Sequence, residues 1–151
     1  MSLARRIAFD VLKLDPGTRV PDLGATVGEA LMRVHRSYLP LVRPLLPSGV
    51  IKGMAHITGG GITDNLPRVL PHGTAAEVKL GSWEVPALFR WLQKGGQVPA
   101  EDMLRTFNMG VGFAAFVSPA NVDRALSIAK ATGYDAWLAG SVKKEGQRKA
   151  V

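Results

Sequence analysis

Three consecutive glycines, Gly59, Gly60 and Gly61, constrain this chain more than any other feature of its sequence. A helix or strand interior does not favour such a run, since each glycine loses the most backbone entropy and packs no side chain. The run therefore marks a joint. Before it, Val50 to Ile57 has the texture of a strand; after it, Thr63 to Val69 reads as a short helix. Two roles fit the joint. It can be a turn whose missing Cβ atoms allow tight packing. It can also be a cradle, in which free N–H groups hold phosphate or another anion. In the second role Thr58 and Thr63 add hydroxyls, Asn65 adds an amide, and Arg68 offers a bidentate partner for phosphate or carboxylate. The loop fits neither the Walker pattern nor the Rossmann Gly-x-Gly-x-x-Gly.

His56 ends the strand beside this loop. It can act as a general acid/base or phosphate donor, or it can bond to backbone and fix the turn. His35 and His72 lie in other contexts and make no metal-ligand spacing with His56, so no three-ligand zinc site is expected. A second joint, Asn108-Met109-Gly110-Val111-Gly112, links a short helix to a strand. Asn108 can hydrogen-bond a base or amide there, or adopt left-handed geometry at the helix end. Asn108 and Gly110 are second-tier candidates for the site. Phe107, Met109 and Phe113 are expected in the core, and Trp83 and Trp91 in packing.

Around these joints the elements are short. Ser2 to Leu14 predicts an amphipathic helix with Leu3, Ile7, Val11 and Leu14 on one stripe. Asp15 to Gly24 reads as a loop. Thr26 to His35 predicts a second helix, with Val27, Leu31 and Val34 on one side and a Thr26/Glu29 capping box. Three prolines between Ser37 and Pro47 allow only a short helix after Pro40. Ala75 to Leu80, Val111 to Val117 and Asp135 to Val142 read as strands. Helices are expected over Pro86 to Lys94, over Pro99 to Phe107, and from Ser118-Pro119 to Gly133. Helices first, then strands and helices intermixed, predict an α+β domain with helices packed on a sheet.

Composition excludes several classes. The chain has 151 residues, 46% of them hydrophobic, which suits a single packed domain and argues against intrinsic disorder. It has no cysteine, so no disulfide framework, thiolate nucleophile or Cys-ligated zinc. No apolar run reaches membrane-span length, and no membrane partner is expected. The cytoplasm is the default compartment. Lysine and arginine number 19 against 12 acidic residues, a formal charge of +7. The basic residues are scattered except for Lys143 to Lys149, which reads as a solvated terminus, and no nucleic-acid partner is expected.

The stretches Gly53-Met54-Ala55-His56-Ile57-Thr58-Gly59-Gly60-Gly61 and Asn65-Leu66-Pro67-Arg68-Val69-Leu70-Pro71 closely resemble the C-terminal domain of the phosphoribosylformylglycinamidine cyclo-ligase (aminoimidazole ribonucleotide synthetase) family. Gly81-Ser82-Trp83 and Arg105-Thr106-Phe107-Asn108-Met109-Gly110-Val111-Gly112 match it in the same order, as do Ser2-Leu3-Ala4-Arg5 and Gly28-Glu29-Ala30-Leu31. Members of the family often carry threonine and lysine where this chain has His35 and Pro40.

The resemblance implies ATP-dependent closure of an imidazole ring in purine synthesis, with ATP and Mg2+ used by the full-length enzyme. It implies that His56, Thr58, Gly59, Gly60, Gly61, Asn65 and Arg68 face substrate or phosphate, with the Gly60 and Gly61 amides binding the anion and Asn65 and Arg68 orienting the ligand; no catalytic base and no metal ligand is assigned. Residues 1–151 are expected to be the C-terminal domain alone, without an N-terminal domain that supplies the main dimer interface, the acidic magnesium ligands and much of the ATP site. On this reading the isolated domain holds no tightly bound cofactor and is inactive alone, the full-length enzyme is a homodimer, and the +7 faces phosphate and partner. The alternative is a stand-alone phosphometabolite-binding or regulatory module of the same fold.

Overall fold

A computed structural model describes residues 2–145. The order of elements is α1 (Ser2–Arg5), β1 (Arg19–Val20), β2 (Ala25–Thr26), α2 (Val27–Leu31), α3 (Leu39–Leu45), β3 (Ile51–His56), α4 (Gly61–Asn65), β4 (Thr74–Val78), α5 (Ala87–Gly96), α6 (Ala100–Thr106), β5 (Phe113–Val117), α7 (Val122–Ala131) and β6 (Gly140–Lys144). The mixed α+β class is as the pattern predicts. The strands, however, form three separate antiparallel pairs, β1 with β2, β3 with β5 and β4 with β6. In the central pair His56 lies opposite Phe113 and Ala55 opposite Ala114.

The first helix departs from its α-helical expectation. After Arg5 it widens into π geometry over Arg6–Val11, with the Leu12 N–H donating to Ile7 O at 2.9 Å. The wider turn advances the buried stripe by one residue. Leu12 takes the inward place that α spacing assigns to Val11, which is left 54% exposed. Ala4 and Ile7 then pack with Leu92, Met103, Phe107 and Met109 in one cluster. Here α5 approaches closely, because a Cβ at Gly96 would meet the Ile7 side chain at 2.7 Å.

Other boundaries move for identifiable reasons. The stretch read as loop from Asp15 to Gly24 contains β1 and a 3-10 turn, Pro21–Leu23, which Gly24 closes at φ +61°. The Thr26/Glu29 capping box forms as expected: Thr26 N–H donates to Glu29 Oε2 at 2.8 Å and Glu29 N–H to Thr26 Oγ1 at 3.2 Å. Its helix ends at Leu31 rather than His35, and Val34 is 90% exposed. The chain beyond is strapped elsewhere: Arg36 Nη2 donates to Gly133 O at 2.7 Å, and Tyr134 Oη donates to Ser37 O at 2.5 Å.

The helix after the glycine run stops at Asn65, since Pro67 cannot donate within it, and continues as a 3-10 turn over Pro67–Val69. The last strand begins at Gly140, not Asp135. Trp137 is occupied first, stacked on Trp83 with ring centroids 6.2 Å apart and its Nε1–H donating to Ser82 Oγ at 3.2 Å. Pairing starts only at Gly140, where any Cβ would overlap Glu77 O. Lys143 and Lys144 thus belong to a paired strand, and Lys143 pairs with Glu77. The rest of the basic tail, residues 146–151, lies outside the described residues.

Candidate functional site

The glycine joint caps the central strand pair. Ile57 N–H donates to Gly112 O at 2.9 Å, tying the end of β3 to the second joint ahead of β5. Gly60 has φ +91° and Gly61 φ +59°, conformations in which a side chain is strained. The three glycines do three different things. A Cβ at Gly59 meets nothing within 4 Å, so this residue faces open space. A Cβ at Gly60 would press on Asp64 at 2.8 Å. A Cβ at Gly61 would overlap Leu104 O and sit 2.7 Å from Phe107 O, at the end of α6. Gly61 is therefore required for packing, and Gly59 is not.

The hydrogen bonds reassign two expected ligand contacts. The Gly61 N–H, expected to bind an anion, donates instead to Thr58 O at 3.1 Å. Asn65, expected to orient a ligand, is 6% exposed. Its Nδ2 donates to Gly59 O at 3.1 Å and Gly61 O at 2.8 Å. Both amide hydrogens are spent, so Asn65 holds the loop in shape rather than reaching outward. Among the described residues, the N–H groups of Gly59 and Gly60 have no hydrogen-bond partner. Thr58, just before the glycines, and His56, at the end of β3, are exposed. Arg68 is exposed on the 3-10 turn after α4 and joins none of the ion pairs among the described residues. That turn packs back on β3, with Val69 O 3.6 Å from a Cβ built at Gly53.

Asn108 is also used locally. Its Oδ1 accepts from Gly110 N–H at 3.1 Å, and the left-handed residue of the joint is Met109, φ +51°, rather than Asn108. Met109 O accepts from Trp83 Nε1–H at 2.9 Å. Gly110 and Gly112 border a cleft of about 520 Å3 that Arg36, Tyr38, Trp83, Tyr134 and Trp137 also line. Arg36 lies over the Tyr134 ring, 4.1 Å from its centroid. Burial pushes the Tyr38 phenol above its ordinary value. The sequence offers no signal for this cleft, because Arg36, Tyr134 and Trp137 meet only in the fold.

Mg2+ asks for near-octahedral oxygen ligation. Among the described residues no group of three His, Cys, Asp or Glu side chains is placed to hold it. His35 and His56, read from the sequence as unrelated, stand side by side with Nε2 atoms 3.1 Å apart.

Fold and site together define an α+β domain with a glycine loop at one end of an antiparallel strand pair, two amides of which have no hydrogen-bond partner among the described residues. The chain belongs to the family described as AIR synthase related protein, C-terminal domain, whose model matches residues 2–151. It is 48% identical over 142 residues to the phosphoribosylformylglycinamidine cyclo-ligase of Trichlorobacter lovleyi, covering 94% of this chain and 41% of that protein. Against the protein of the same name from Sorangium cellulosum, identity is 46%, covering 96% of this chain and 42% of the relative. For that of Carboxydothermus hydrogenoformans it is 40%, covering 100% and 43%. The chain thus spans about two fifths of the length of these relatives.

Proposed function

We propose that this chain is the C-terminal domain of an ATP-dependent cyclo-ligase that closes the imidazole ring of formylglycinamidine ribonucleotide, and that its glycine loop binds an anionic group of that reaction. The name of these relatives and the family membership support the activity. The observation that carries the site is the pair of amides at Gly59 and Gly60, unpartnered among the described residues, near the exposed Thr58 and His56. Two preorganised N–H donors of this kind hold phosphate or developing negative charge without reorganising during reaction. Asn65 and the packing of Gly61 on α6 keep the loop in that shape. Arg68, exposed on the 3-10 turn after α4, offers a charged fork to the same anion.

In the reaction the formyl oxygen attacks the γ-phosphorus of ATP. ADP leaves, an internal nitrogen attacks the activated carbon, and phosphate departs with that oxygen. Such chemistry depends mainly on positioning and charge stabilisation. An N-terminal domain would supply the magnesium ligands, the rest of the ATP site, the dimer interface and acidic charge against the +7 here. The cytoplasm, where ATP is abundant, is the proposed compartment. No helix among the described residues is long and apolar enough to cross a membrane.

The test is turnover by the full-length enzyme that carries this domain. Arg68→Ala should lower kcat/KM about 10- to 100-fold, the equivalent of a hydrogen bond to a charged group. Thr58→Ala should lower it less. If both variants turn over like the parent, the loop is not the binding site. Tight calorimetric binding of a ribonucleotide by residues 1–151 alone would instead favour a stand-alone binding module.

A further inference from the structure

We propose that His35 and His56 form a two-imidazole site for a divalent transition cation of the Zn2+ or Co2+ type. The two residues are twenty-one positions apart in the chain, yet their Nε2 atoms stand 3.1 Å from each other. The ring centroids are 4.7 Å apart and the planes meet at 57°. Rings meeting head-on at that nitrogen separation would hold their centroids farther apart. At least one nitrogen therefore does not point squarely at the other, as a strong hydrogen bond prefers. Two ligands that address one ion have their lone-pair axes tilted off the line between them, and this centroid separation accommodates that. At metal–nitrogen distances of about 2.0–2.1 Å, nitrogens this far apart subtend an angle of about 100° at the metal, between square and tetrahedral values.

The fold holds this geometry in place. His56 is fixed at the end of β3 by pairing with Phe113. His35 sits in the strap that Arg36 and Ser37 fasten to Gly133 and Tyr134. The Tyr38 ring meets His35 edge-on, with centroids 5.8 Å apart. Gly112 leaves the space, since a Cβ there would lie 2.9 Å from His35 Cε1 and overlap the Tyr38 hydroxyl. Both imidazoles are exposed, which leaves the remaining coordination positions to water or an anion. Two nitrogen ligands, with no converging carboxylate among the described residues, select borderline transition ions over Mg2+ or Ca2+. The site rests on these two side chains and does not depend on the ligase reading.

The experiment is calorimetric titration of the chain with Zn2+, together with Co2+ followed by its visible absorption. It compares the parent with His35→Ala, His35→Thr, His56→Ala and His72→Ala, with the fold of each checked by circular dichroism. The expected result is one ion per chain in the parent and in His72→Ala, and affinity at least about tenfold weaker in the other three. Excess Mg2+ should not compete. Unchanged affinity in the folded His35 variants would overturn the proposal. So would a folded parent that binds no more tightly than His35→Ala combined with His56→Ala, since the pair would then be a hydrogen bond only.

Discussion

Gly61→Ala separates the packing role of the glycine loop from its ligand role. At φ +59° a non-glycine residue costs roughly 1–2 kcal/mol. The new Cβ would also overlap Leu104 O and sit 2.7 Å from Phe107 O. Both are backbone atoms at the end of α6, so neither can rotate away. Overpacking of this kind costs about 1–3 kcal/mol, and with the backbone strain the variant should lose about 2–5 kcal/mol. Gly59→Ala is the matched control, because its Cβ meets nothing within 4 Å and it has no left-handed φ. It should change stability by no more than about 0.5 kcal/mol. Urea unfolding followed by tryptophan fluorescence reads both, as a fall in midpoint at constant slope. Equal midpoints for Gly61→Ala and Gly59→Ala would refute the reasoning, since the loop would then yield freely at the α6 contact.

Three further outcomes follow from the same geometry. Asn65→Ala removes both donors that hold Gly59 O and Gly61 O and should cost about 1–3 kcal/mol in the same unfolding assay. Leu92, 1% exposed between α1, its π extension and α6, should cost about 2–5 kcal/mol when truncated to alanine. The Glu29 carboxyl is held below its ordinary value of 4.5 by the hydrogen bonds from Thr26. A carboxyl lowered by folding stabilises fully above its unfolded value and loses that contribution as pH falls through its folded one. The stability difference between parent and Glu29→Ala should therefore be present at pH 7 and shrink below about pH 4.5, as urea midpoints at several pH values will read.

Much of the local structure was legible without coordinates, because its physics is short-range. The capping box needs only Thr26 and Glu29 three residues apart, and it forms. Pro67 ends α4, and a glycine run that disfavours continuous helix or strand makes a joint. The ordered motifs around that joint also identified the family over nearly the whole chain. Periodicity reached its limit where a distant contact sets the geometry. The π turn that replaces Val11 with Leu12 is packed against Gly95 and Gly96 of α5. The second helix stops early where Gly133 and Tyr134 hold Arg36 and Ser37.

The same division runs through the site. Which residues surround the glycine loop could be read from their order along the chain. Which of its amides are left without a partner could not, since that depends on Asn65 turning inward and on α6 pressing against Gly61. The approach of His35 to His56 was equally hidden, because spacing along a chain carries no information about a strap fastened ninety-seven residues away.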